Sequence, residues 1–63
     1  MVTEMNGYPA GSGRYVELFC LSTDSKPTEG IANGSICTEL NAGTGAVTTY
    51  FFNEAGGAWV AAT

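Results

Sequence analysis

The sequence predicts an all-β fold: a small antiparallel sheet of three to four strands, preceded by a flexible N-terminal arm. Three observations carry this expectation. β-Branched and aromatic residues gather in short runs, as in 14–21 and 47–52. Clusters of Gly, Asn, Ser, Thr and Pro separate those runs. Glycines also interrupt every window in which a helix of ordinary length could propagate.

Residues 1–13 end in Gly7-Tyr8-Pro9-Ala10-Gly11-Ser12-Gly13 and show neither helical nor strand periodicity, so they read as an extended arm. Residues 14–63 form the single β domain. Its first strand runs over 14–21, with Val16, Leu18 and Cys20 on one face and Tyr15, Glu17, Phe19 and Leu21 on the other. Both faces are largely apolar. One small sheet covers only one face with its own core, so the second face points to an interface or to a covering layer. The polar stretch Ser22–Ser35 is too long for a tight hairpin. Pro27 forces the chain out of the strand, and Asn33-Gly34 supplies a turn expected to hold positive φ at both positions. The Ser, Thr and Asp side chains of this stretch are expected to bond to backbone within the turns. A second strand covers 35–40, with Ile36, Thr38 and Leu40 on one face. After a glycine-bearing loop over 41–46, the third strand, 47–52, pairs antiparallel with the second. A turn over 53–57 leads to a short last strand over 58–62.

The chain has 63 residues, and a domain of that size buries only about 60% of its unfolded surface, so its stability is marginal. Small domains compensate with disulfides, a metal or a partner. The sequence contains no His, and its two Cys, Cys20 and Cys37, lack CxxC spacing, so no metal or cofactor is expected. A lone cysteine pair falls short of a stapled secreted scaffold, and reduced, buried thiols are the reading adopted for both. A partner subunit remains. Met1-Val2-Thr3-Glu4-Met5-Asn6 lacks the basic start and apolar run of a secretory signal, which points to synthesis and retention in the cytoplasm. No stretch approaches the roughly 20 apolar residues of a membrane span. Six acidic residues against Arg14 and Lys26 give a net charge of −4, which repels phosphate backbones and argues against nucleic acid as a partner.

Candidate chemistry is sparse. Gly43-Thr44-Gly45 has no following Lys and opens no helix, so a phosphate loop is rejected in favour of a hairpin. There is no His base, and no basic neighbour lowers the pKa of either thiol. Glu17 and Glu39 could face each other across strands, where like charges cost stability, and solvated strand faces account for both. No enzyme is expected. Trp59 with Tyr50, Phe51 and Phe52 could form a stacking platform for sugars or bases, although such a set more often forms core.

The order of the short motifs carries a resemblance. Leu21-Ser22-Thr23-Asp24-Ser25-Lys26-Pro27-Thr28 closes one strand and Asn33-Gly34-Ser35 opens the next. Glu39 precedes a Thr44-Gly45 hairpin, and Tyr50 to Phe52 lead through Asn53-Glu54 to Gly57-Ala58-Trp59. Over about residues 15–60 this resembles the short virion-associated proteins of tailed bacteriophages, of the capsid decoration and head-fibre type. Here Asn41-Ala42-Gly43-Thr44-Gly45 replaces the compact Asp-Thr-Gly of those chains, and Ala46 stands where they carry a basic residue. The resemblance implies a structural protein of the virion that binds the outer surface of the major capsid protein lattice and stabilises it. Its partner is then the major capsid protein or another virion protein, with self-association as a further option. The expected contact residues are Met5 and Tyr8 of the arm, Tyr15 and Phe19 on the second strand face, and Lys26 and Pro27 in the long connection. The alternatives are a carbohydrate- or receptor-binding module of a phage fibre, with Trp59 and Tyr50 exposed, and a small regulator that blocks a host enzyme.

Overall fold

The computed structural model describes residues 1–11 and 13–62. Ser12, expected in the arm, and Thr63, at the end of the β domain, lie outside the described residues. Among the described residues the fold is all-β, with five strands in one sheet. They are β1 (Thr3–Ala10), β2 (Gly13–Leu21), β3 (Ile36–Leu40), β4 (Val47–Asn53) and β5 (Ala58–Ala61), arranged in the order β1-β2-β3-β4-β5.

Two features of the sheet topology differ from the sequence expectation. The stretch expected to be a free arm is β1, an edge strand paired antiparallel with β2 from Thr3↔Phe19 to Ala10↔Gly13. An edge tolerates what a central strand does not. Pro9 lacks an N–H, and the register shift between Glu4 and Asn6 adds Met5 as an extra residue, yet the ladder survives on its β2 side. Gly11, at φ 60°, turns the chain back between the two strands. Tyr8 opposes Tyr15, with ring centroids 5.1 Å apart. Arg14 reaches along the hairpin to hold both oxygens of Glu4 at 2.9 and 3.0 Å. This ion pair crosses Gly7, where an added Cβ would sit 2.7 Å from Arg14 Nη2.

The second difference is the direction of β3. It runs parallel to β2, with Glu17↔Ile36 through Leu21↔Leu40, so the sheet is mixed rather than purely antiparallel. Parallel neighbours need a connection of about a dozen residues or more to carry the chain back to its starting end, and Ser22–Ser35 is long enough to do so. The antiparallel β3–β4 pairing agrees with expectation, and β5 closes against β4 with Phe52 opposite Trp59.

The returning segment is pinned at its far end. Arg14 N–H donates to Gly30 O and Ala32 N–H to Arg14 O, both at 2.8 Å, so Ile31 runs parallel beside the start of β2. A turn over 32–35 follows, with Ser35 N–H bonded to Ala32 O and Gly34 at φ 82°. Gly34 is positive, but among the described residues no non-glycine is, so Asn33 does not take the conformation expected of it. It bonds across the fold instead, its Oδ1 accepting the Glu54 N–H at 2.7 Å.

The connection thereby covers one face of the sheet and completes the core. Val16, Leu18 and Cys20 of β2, Cys37 of β3 and Phe52 of β4 are buried with Ile31 of the connection, and Val2, Tyr50 and Trp59 pack around them. Each large apolar side chain removed from water here stabilises the fold by about 1.5–3 kcal/mol before entropy is counted. The opposite face has no covering layer among the described residues, and that asymmetry positions the candidate site.

Candidate functional site

Strand alternation and register place the open face residue by residue. Asn6, Glu17, Ile36, Phe51 and Val60 are consecutive partners across all five strands and therefore form one transverse row on it. The next row holds Thr3, Phe19, Thr38 and Thr49, and a further one holds Leu21, Leu40 and Val47. Tyr8 and Tyr15 extend the face along the β1–β2 hairpin. Met5, Tyr8, Phe19, Val47, Phe51 and Val60 are all exposed large hydrophobics, and Met1 is the one other among the described residues. Monomeric proteins seldom leave a contiguous apolar surface of this kind unless it binds something.

The face is not uniformly apolar. Glu17 sits half-buried near its middle, where the Tyr15 hydroxyl donates to Oε2 at 2.8 Å. That bond to the carboxylate, followed by desolvation and the negative charge itself, raises the Tyr15 phenol above its ordinary pKa. Beside Glu17 lies an open depression of about 440 Å³ lined by Met5, Glu17, Leu18, Phe19, Ile36 and Thr38.

Four of the six contact residues expected from the sequence, Met5, Tyr8, Tyr15 and Phe19, are brought together on this face. Lys26 and Pro27 are not. They belong to the connection on the opposite side of the sheet, because the polar loop folds over the core. Lys26 pairs with Glu39 and lies 4.3 Å from the centre of the Tyr50 ring, with both charged side chains largely buried. Burial pulls the Lys26 ammonium down, but the hydrogen bond and charge of Glu39 outweigh it and hold its pKa above the ordinary lysine value. The Pro27 carbonyl accepts the Trp59 indole N–H at 2.8 Å. Ile36, Phe51 and Val60 complete the site; none is among the contact residues expected from the sequence, and Phe51, there grouped with Tyr50, Phe52 and Trp59, lies on the opposite face from them. Their signal was the alternation in their own strands, which becomes a surface only once register is known.

The alternative sites look different in three dimensions. Glu17 and Glu39 lie on opposite faces rather than facing each other, and Glu39 is ion-paired rather than solvated. Trp59 packs edge-on to Phe52 with centroids 5.1 Å apart, and its N–H is already engaged. Tyr50 sits beneath Lys26. Cys20 and Cys37 are fully buried with their Sγ atoms 3.4 Å apart, and burial, followed by the Cys20 hydrogen bond, pushes the Cys37 thiol up to about 12. Among the described residues no group of three or more His, Cys, Asp or Glu is placed to hold a metal ion.

Comparison with protein-family models, with curated proteins and with solved structures finds no match. The reading of function rests on the open face and on the motif resemblance.

Proposed function

We propose that this chain is a structural protein of a tailed-bacteriophage virion, a decoration protein that lays its open sheet face on the outer surface of the major capsid protein lattice. One observation carries the reading: a contiguous apolar face, from Met5 and Tyr8 across Phe19 to Phe51 and Val60, is left uncovered while the other face is closed by the chain's own connection. Such a protein acts by occupying a site. Binding only the assembled lattice stabilises that lattice by mass action, with stable contact sets burying on the order of 1,000 Å² or more. The order of the turn and strand motifs supplies the phage context. The platform expected of a glycan-binding module is not favoured, because Trp59 and Tyr50 are engaged on the covered face.

The test is cosedimentation of the purified chain with capsids of the phage that encodes it, in parallel with Phe51→Ser. Wild type is expected to saturate at a copy number set by the lattice symmetry. The variant is expected to retain its fold and lose occupancy. Absence of the wild-type chain from the capsid pellet contradicts the proposal.

A further inference from the structure

The chain's two basic side chains, Arg14 and Lys26, are both committed elsewhere: Arg14 clamps Glu4 and Lys26 pairs with Glu39. The open face therefore presents negative charge without a cation of its own. That charge is Glu17, whose Oε2 is held by Tyr15 and whose Oε1 accepts no hydrogen bond from any described residue. The carboxylate lines the 440 Å³ depression, and the other walls are Met5, Leu18, Phe19, Ile36 and Thr38. A flat apolar partner laid over this face would strip water from a carboxylate with one oxygen unsatisfied, at a large cost. A second copy stacked on it about a two-fold axis near the row centre would bring two such carboxylates together.

We propose that the depression receives an arginine side chain of the partner surface, with its aliphatic stem against Met5, Phe19 and Ile36 and its guanidinium donating to Glu17 Oε1. Arginine fits better than lysine. Its guanidinium is planar and weakly hydrated, it stacks on an aromatic wall such as Phe19, and its apolar stem fills the rest of the depression. Tyr15 fixes the carboxylate in advance, so less freedom is lost when the charge-assisted bond forms. In this arrangement the apolar rows give contact area, while Glu17 sets register and selects the partner. The identity of the partner as a capsid subunit rests on the proposed function; the arginine site itself is tested without it.

The experiment is a heteronuclear NMR titration of the whole chain with N-acetyl-arginine amide, its uncharged citrulline analogue serving as control. Saturable shifts are expected at the Glu17 side-chain carboxyl carbon and at Tyr15, Phe19 and Ile36, with arginine but not with citrulline, and absent in Glu17→Gln. Shifts that are scattered over the surface, or equal for the two probes, overturn the arginine site. Capsid binding provides the second reading, with Glu29→Gln as a remote control of equal charge change. Glu17→Gln is expected to weaken binding roughly tenfold or more and to flatten its salt dependence relative to Glu29→Gln. Equal binding by the two variants overturns the inference while leaving capsid decoration intact. Failure of wild type to bind capsids, with the arginine titration positive, removes the decoration reading alone.

Discussion

Ser35 is a fully buried polar residue whose hydroxyl joins two segments. Its Oγ donates to Ala32 O at 2.8 Å and accepts the Val16 N–H at 3.1 Å, on the side of β2 away from β1 and just before the β3 pairing begins at Glu17. Replacing Ser35 by Ala leaves the Val16 amide without its partner in a dry site. A loss of about 1–3 kcal/mol is expected from urea unfolding. Cys20 and Cys37 make a different prediction. Both are shielded in the core, so neither is expected to react with an alkylating reagent until the chain unfolds. Because burial raises the Cys37 thiol from 9.0 to about 12, it stays protonated in the fold while an unfolded thiol ionises. Its contribution to stability is complete below about pH 9 and is lost as pH rises toward 12. The Lys26 ammonium, also held high, adds to the loss in the same direction at the alkaline end. A denaturation midpoint that falls steadily over this range is the expected result, with a shallower fall in Cys37→Val.

At the scale of the elements, the connection between β2 and β3 decides the fold, and Gly13 marks where it docks. A Cβ at Gly13 would lie 2.8 Å from the Gly30 carbonyl oxygen, a backbone atom held in place by the Arg14 amide. Gly13→Ala is therefore expected to push the connection off β2 and to cost about 1–3 kcal/mol, measured as a lowered unfolding midpoint. The same element explains what was legible in the sequence. β2 and β4 announce themselves through runs of β-branched and aromatic residues; the apolarity of both β2 faces left a covering layer or an interface open, and among the described residues no layer covers the Tyr15–Phe19 side. The parallel direction of β3 was not legible, because it depends on Ile31 docking beside Arg14 and Ser35 beside Val16 and on no local propensity. β1 was hidden for a related reason. Gly7 and Pro9 read as punctuation, yet on an edge strand the missing Pro9 amide costs no ladder bond, and Gly7 clears room for the Arg14–Glu4 pair. Bulge and proline together also make β1 a poor template for a further strand. Lys26 and Pro27 were expected at an interface on the resemblance alone, but only the folded connection shows Glu39 and Trp59 as their partners.

The whole molecule exposes 3837 Å² of surface, close to the roughly 3,800 Å² expected of a compact monomer of its 6.5 kDa mass. It is thus no more open than other small domains, and the case for a partner lies in what that surface is made of. The extents of 36 × 20 × 16 Å describe a thin slab. One broad side is closed by the connection and the other carries the exposed hydrophobics around Glu17. Substitutions on the open side should therefore separate binding from stability. Phe51→Ser and Val60→Thr are expected to change the unfolding free energy by less than about 1 kcal/mol, as befits exposed positions, whereas Phe52→Ala on the covered side is expected to cost about 3–5 kcal/mol. Hydroxyl-radical footprinting of the chain, free and bound to capsids, tests the assignment of the open face most directly. Protection of Met5, Tyr8, Phe19 and Phe51, with Trp59 unchanged, is the predicted pattern. Protection of Trp59 and Pro27 with the four open-face residues still oxidised at the free rate would contradict it.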